Sequence, residues 1–192
     1  MKSDQKYSSL RVIGGKWRSR KIVFPITSTL RPTSDRVRET LFNWLQGDII
    51  EANCLDLFAG SGACGIEALS RGARSTLFIE KNKISAFAIS ENLEKLGNTH
   101  HRVLNRDSLI WLKENQLHDE SKFDIVFIDP PFKDTLIYLS ARLLEESDKI
   151  TAGCKIYIEN GQSLELEKLP KNWQLIKQSR AGAVHYFLFV RS

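Results

Sequence analysis

Long apolar runs are missing from this sequence. Nowhere do about 18 apolar residues follow one another, so no membrane-spanning helix is expected. The opening stretch MKSDQKYSSLRVIGG lacks the apolar core of a secretory signal, and a cytoplasmic chain is expected. Cysteine is scarce: Cys54, Cys64 and Cys154 are odd in number, lie in apolar surroundings and show no C-x-x-C spacing. That pattern excludes a disulfide frame or a zinc site and predicts reduced core residues. The four histidines include one adjacent pair, His100 and His101, but no H-E-x-x-H, so no metal is expected. Hydrophobicity is not low either. With 192 residues, 42% of them hydrophobic and 27% charged, the chain can fill one core, and disorder is excluded.

The net charge of +5 is unevenly placed. Residues 1–40 hold ten Lys or Arg against Asp4, Asp35 and Glu39, which gives +7, while the other 152 residues hold 18 basic and 20 acidic side chains, giving −2. A basic end on a near-neutral body suits a polyanion, most simply nucleic acid. A solvated, poorly ordered terminus is the plainer alternative. Val12, Ile13, Trp17, Ile22, Val23 and Phe24 interleave with these charges, and Gly14-Gly15 reads as a tight turn, so a hairpin of strands near 10–13 and 16–24 is predicted. Thr33 or Ser34 then caps a helix whose Val37, Leu41, Trp44 and Leu45 share one face.

From residue 53 onward strands alternate with helices. Strands are predicted near 54–58, 76–79, 102–104, 123–128 and 155–158, and helices near 63–71, 82–95, 107–115 and 134–147. Such alternation implies an α/β fold with a mostly parallel sheet covered on both faces. Residues 173–178 and 184–190 are too close for an intervening helix and predict a C-terminal antiparallel hairpin, making seven strands.

Two motifs carry chemistry. The first, Asp56-Leu-Phe-Ala-Gly60-Ser-Gly62-Ala-Cys-Gly65, joins the first of these strands to its helix. Its glycines permit a sharp turn and a close backbone approach to a ligand at a helix N-terminus. Glu80, twenty residues after Gly60, is placed for two ribose hydroxyls. These features suit NAD and S-adenosylmethionine equally, and a purely structural turn is also possible. Asp56 favours the methyl donor, because a carboxylate there suits a cationic amino-acid moiety and does nothing for a pyrophosphate.

The second motif is Asp129-Pro130-Pro131-Phe132, at the carboxyl end of the strand that starts at Phe123, where α/β sheets bind ligands. Two of the five prolines stiffen this loop. An exocyclic amine on a nucleobase is a poor nucleophile, because its lone pair is delocalised into the ring. The Asp129 carboxylate and the Pro130 carbonyl are suited to hold its two N–H groups and stabilise the charge that develops, with Phe132 as a stacking face. Asp107 could meet an adenine amino group, although Asp before a helix is normally just a cap. Trp111 reads as core.

The arm Arg11-Val-Ile-Gly-Gly-Lys-Trp-Arg-Ser-Arg-Lys21, the segment Leu30-Arg-Pro-Thr-Ser-Asp-Arg-Val-Arg-Glu39, the loop from Asp56 to Gly65 and the Asp129–Phe132 motif occur in that order. Together they resemble the RsmD family of bacterial 16S ribosomal RNA guanine-N2 methyltransferases, over almost the whole chain. The resemblance implies a class I, Rossmann-like methyltransferase fold and transfer from S-adenosylmethionine to one guanosine of 16S rRNA, within a small-subunit particle. It implies cofactor contacts at Asp56, Phe58, Ala59, Gly60, Gly62, Glu80, Asp107 and Ser108, and target-amine contacts at Asp129, Pro130, Pro131 and Phe132. RNA contacts are expected at Arg11, Lys16, Trp17, Arg18, Arg20, Lys21 and Arg31, with Trp17 as stacking platform or hairpin anchor. Residues 1–33 are read as the RNA-binding arm and 34–192 as the methyltransferase domain of a monomer. Alternatives are an adenine-N6 or cytosine-N4 amino-methyltransferase on DNA or RNA, and a non-catalytic ribosome-assembly factor with this fold. An NAD dehydrogenase is disfavoured, since no Tyr-x-x-x-Lys pair sits on a helix after the fourth strand.

Overall fold

The computed structural model describes residues 6–26, 33–98, 101–114, 122–131 and 134–192. An N-terminal hairpin pairs β1 (Tyr7–Arg11) with β2 (Lys21–Pro25), and α1 (Asp35–Trp44) follows. Strands and helices then alternate through β3 (Asn53–Asp56), α2 (Ala63–Ser70), β4 (Ser75–Glu80), α3 (Lys83–Lys95), β5 (His101–Asn105), α4 (Ser108–Lys113), β6 (Phe123–Ile128), α5 (Asp134–Glu146) and β7 (Ile150–Asn160). The chain ends in the hairpin of β8 (Trp173–Ala181) and β9 (Val184–Arg191). The seven-stranded sheet runs β5-β4-β3-β6-β7-β9-β8, with β3 through β7 parallel and the last two strands antiparallel. From β3 the chain steps outward to β4 and β5, then returns to lay β6 on the other side. A crevice therefore opens beyond the carboxyl ends of β3 and β6, the topological switch point where such sheets take ligands.

Alternation within the strands fills both faces. Leu55, Leu77, Val126 and Ile128 pack with Trp111 and Leu112 of α4 and Ile137, Ala141 and Leu144 of α5. On the opposite face Cys54, Ile125, Phe127 and Tyr157 meet α1 and α2, while Phe78 packs with Ile66, Ile89 and Leu93. Each fully buried side chain of this size contributes about 1.5–3 kcal/mol relative to exposure. All three cysteines are buried and unpaired. Among the described residues no helix is long and apolar enough to cross a membrane.

At three places the elements depart from the sequence reading by more than two residues. β1 and β2 lie farther apart than a tight Gly14-Gly15 turn would place them. A loop closed by Val12 N–H on Arg20 O (2.9 Å) and Ser19 N–H on Val12 O (2.9 Å) separates them, and it holds a short 3-10 turn over Gly15–Trp17. β7 begins five residues before its predicted start, because a register shift between Phe123 and Ile125 absorbs a bulge that includes Gly153 at φ 80°. β8 runs on to Ala181, with a shift between Leu175 and Lys177.

The basic arm is docked on the domain. Val12, Trp17 and Ile22 join the core of α2 and α3. Glu67 of α2, wholly buried, accepts the backbone N–H groups of Ile13 and Gly14 (both 2.8 Å) and pairs with Arg71 (2.8 Å) and Arg38 (3.4 Å). The Ser70 hydroxyl donates to Gly14 O (2.6 Å) and accepts from Trp17 N–H (3.0 Å). Asn92 of α3 makes the paired bonds a strand would make to Val23, accepting from its N–H (3.0 Å) and donating to its carbonyl (2.7 Å). A Cβ on Gly15 would sit 1.9 Å from Ser70 O, so glycine alone permits this seat. Arg38, one of the ten basic residues at this end, is fully buried, bound to Arg11 O (2.9 Å) and Asp35 (2.6 Å) as well as Glu67. Its charge therefore belongs to the core. Replacing Glu67 by Ala removes one of the two carboxylates that answer the buried Arg38 and leaves two backbone donors without their acceptor. The expected loss is about 3–5 kcal/mol in urea unfolding, and a change below about 1 kcal/mol would contradict the anchoring role.

Candidate active site

The turn after β3 is shaped by its glycines. Gly60 and Gly62 take φ 54° and 76°, and Gly62 N–H closes the turn on Ala59 O at 2.6 Å. Gly65, on the first turn of α2, lies under β4: a Cβ there would come within 2.2 Å of the Phe78 ring. Asp56, the last residue of β3, points its Oδ2 at Gly65 N–H (2.9 Å), so the carboxylate ties the strand end to the helix start. Burial pushes its pKa up to about 7, against the lowering by that hydrogen bond, and Glu80 adds to the rise. Glu80 braces the same turn from β4, accepting Gly60 N–H (2.7 Å) on one oxygen and Asn82 N–H (2.6 Å) on the other. Burial raises its pKa as well.

Across the switch point, Asp129 follows β6 and accepts from the Thr33 hydroxyl at 3.3 Å. Burial first, then the negative charges of Glu159 and Asp56, hold its pKa well above the carboxylate range. Pro130 is buried and Pro131 exposed. Phe132 lies outside the described residues, as does Arg31.

These residues converge on one cavity of about 410 Å³, within the range of small-molecule sites. Asp56, Phe58, Ala59, Gly60, Glu80, Asp107, Ser108, Asp129, Pro130 and Pro131 all line it. Gly62 does not: it faces Ile66 and Ile89, and its part is to start α2 in the left-handed conformation. Asp107 caps α4 through Leu109 N–H (3.0 Å) and Ile110 N–H (3.2 Å) and pairs with Lys81 (2.9 Å), whose hydrogen bond lowers its pKa. Ser108 donates to Leu57 O. Cys64 also lines the cavity, and burial keeps its thiol protonated.

Sequence reasoning missed Glu159 and Asn160 at the end of β7, and Thr33 before α1, all in the cavity wall. The first two were within reach, because an acidic residue and Asn-Gly end a predicted parallel strand beside β6. Thr33 was not, since only the tertiary fold brings it to Asp129.

The wall suits a cation-bearing ligand. Among the described residues of the wall, five carboxylates (Asp56, Glu80, Asp107, Asp129, Glu159) face one cation, Lys81, which is paired with Asp107. A dinucleotide's pyrophosphate would be repelled, whereas a ligand with a sulfonium and an ammonium relieves the carboxylates whose pKa values burial has raised. Ile79, Leu109 and Phe58 supply an apolar wall for an adenine. The arm residues stand away from this cavity: Arg11, Lys16, Arg18, Arg20 and Lys21 are exposed. Trp17 is buried with Lys16 4.5 Å over its ring, so it anchors the hairpin and offers no open face for stacking.

Residues 10–190 match the family model described as Conserved hypothetical protein 95. The chain is 42% identical over 182 residues to Ribosomal RNA small subunit methyltransferase D of Escherichia coli strain K12, covering 95% of this chain and 90% of that protein. It is likewise 42% identical to the protein of that name from Haemophilus influenzae, covering 94% and 93%. Among solved structures, yhhF from Escherichia coli superposes with a TM-score of 0.85 at 40% identity, over 96% of this chain and 99% of that one. The Thermus thermophilus 16S rRNA N2 G1207 methyltransferase, solved with AdoMet and guanosine, shares the fold at TM-score 0.71 and 18% identity, over 99% of this chain and 51% of that one. With its sheet order, its glycine turn and these matches along nearly its whole length, the chain belongs to the RsmD family.

Proposed function

We propose that this protein transfers a methyl group from S-adenosylmethionine to the exocyclic N2 amine of one guanosine in 16S rRNA, acting in the cytoplasm as a monomer on a small-subunit particle. The observation that carries the reading is the seat of Asp129-Pro130 across the switch point from the Asp56 turn, in one carboxylate-lined cavity. The names of the curated relatives point the same way for the RNA substrate.

When bound, the cofactor supplies a methyl carbon on a positively charged sulfur, which keeps the bonding pair as the methyl leaves. Asp56, with the Gly60 turn, holds the cationic amino-acid end, and Glu80 shares its remaining lone pairs with ribose hydroxyls. Asp107 and Ser108 border the adenine. On the other side the Asp129 carboxylate and the Pro130 carbonyl each accept one N–H of the target amine, which aims its lone pair at the methyl carbon. Attack precedes proton loss, because the neutral amine is far too weak an acid. The methylated nitrogen then releases its extra proton to Asp129, whose raised pKa makes it a willing acceptor once ionised. Asp129→Ala is expected to lower methyl transfer about 10²–10³-fold, the scale of one lost preorganised contact, with cofactor affinity held within a few fold. Undiminished transfer would sink the assignment.

Residues 1–33 are proposed as the RNA-binding arm and 34–192 as the catalytic domain, with Arg11, Lys16, Arg18, Arg20 and Lys21 meeting phosphates. Deleting the arm is a poor test, because Val12, Trp17 and Ile22 are core. Changing Lys16, Arg18 and Lys21 to Gln leaves the core intact. The slope of log affinity for RNA against log salt is expected to flatten by about 2, at roughly 0.7 per lost phosphate contact. An unchanged slope would remove the arm from the interface.

A further inference from the structure

β7 brings a second pair of polar side chains to the wall that holds Asp129. The parallel register pairs Ile128 with Ile158, so Asp129 and Glu159 leave neighbouring strands side by side, and both line the cavity. Adjacent strands lie about 4.8 Å apart, which puts the two acceptors within the span of one base edge. Glu159 is held in place: the hydroxyl of Tyr157, two residues back on the same face of β7, donates to its Oε2 at 3.0 Å. Tyr157 is fully buried, and burial together with the charge of Glu159 raises its pKa, so this hydroxyl stays a donor. The next residue, Asn160, also lines the cavity. Its Oδ1 accepts Gly161 N–H (2.8 Å), which fixes the amide orientation. Its Nδ2 is buried without a hydrogen-bond partner among the described residues, a state that costs free energy unless a ligand supplies an acceptor.

The Watson–Crick edges of the amine-bearing bases differ at the position beside the amine. Guanine presents O6 as acceptor, N1–H as donor and N2–H₂ as donor. Adenine and cytosine put a bare ring nitrogen next to the amine, an acceptor that a carboxylate repels. We infer that Glu159 and Asn160 read the target base, Glu159 accepting guanine N1–H and Asn160 donating to O6, while Asp129 and Pro130 hold N2. Asp129 and Glu159 on neighbouring strands then meet the neighbouring N2 and N1 positions of the base. Selection is by repulsion as much as by attraction: an adenine or cytosine brought to the same pocket would face the Glu159 carboxylate with a lone pair. The inference rests on the guanine-N2 reading above and supplies the physical basis for choosing guanine over the other amino bases.

The test uses the full chain and small-subunit particles reconstituted with 16S rRNA carrying either guanosine or 2-aminopurine at the mapped target. 2-Aminopurine keeps the N2 amine but lacks both O6 and N1–H. The wild-type protein is expected to prefer guanosine strongly. In Glu159→Gln the ratio of kcat/KM for guanosine over 2-aminopurine should fall about 10–100-fold, the scale of one charge-assisted hydrogen bond. A Gln amide also donates to the bare N1 of 2-aminopurine, so activity on the analogue should rise while activity on guanosine drops. Cofactor affinity, measured alongside, should stay within a few fold. Equal wild-type rates on the two bases would overturn the inference without any variant, and so would an unchanged ratio in Glu159→Gln. If the wild type forms no N2-methylguanosine at all, the guanine-N2 reading itself has failed, and that outcome also overturns the inference.

Discussion

Carboxylates gathered at the ends of parallel strands, outnumbering the cations among the described residues around them, are the constraint around which this protein is organised. Asp56 closes β3, Glu80 closes β4, Asp129 follows β6, and Glu159 stands one residue before the end of β7. Strand register brings all four into one cavity wall. Their repulsion is tolerated because backbone N–H groups of the glycine turn satisfy Asp56 and Glu80, and because Thr33 and Tyr157 donate to the other two. Among the described residues of the wall, Lys81 is the one cation beside these carboxylates. A cationic ligand suits the site, and in the proposed function the four acids divide into a pair for the cofactor and a pair for the target base.

The same economy of buried charge seats the basic arm. Glu67 and Arg38 are both wholly inaccessible, and each satisfies backbone of the hairpin loop: Glu67 the N–H groups of Ile13 and Gly14, Arg38 the carbonyl of Arg11. The cations left outside are thereby fixed in space on a hairpin that shares a core with α2 and α3. The charge split read from composition thus has two components: an exposed set that suits phosphates, and a buried arginine that has no part in binding.

Much of this was legible in the sequence because strand–helix alternation and strand-end chemistry are local signals. The periodicities gave five parallel strands and the final hairpin, and the residue types at two strand ends singled out Asp56 and Asp129. Features that depend on distant partners were hidden. The Gly14-Gly15 turn looked like a hairpin tip, yet Gly15 is there to clear Ser70. Gly62 lies outside the cavity lining and starts α2 in the left-handed conformation, which only the folded turn reveals. Trp17 could be read as a stacking ring until the packing against α2 buried it. Glu159 ended a predicted strand and was within reach as a strand-end acid, but its place beside Asp129 comes from the β6–β7 register.

The cavity's carboxylates suit a cation, and their protonation ties its binding to pH. Asp56 sits near pKa 7 in the folded chain, far above its ordinary 3.8. Folding without ligand therefore takes up a proton between about pH 4 and 7, and stability falls as pH rises through that window. Binding a cation reverses this by favouring the ionised form. Calorimetric titration of S-adenosylmethionine between pH 5.5 and 7, in buffers of different ionisation enthalpy, measures the effect where the ligand's amine stays charged. A proton is expected to be released on binding at the acid end, with a Kd that tightens up to about tenfold per pH unit toward 7. Proton-neutral binding with a Kd flat across that range would contradict that expectation.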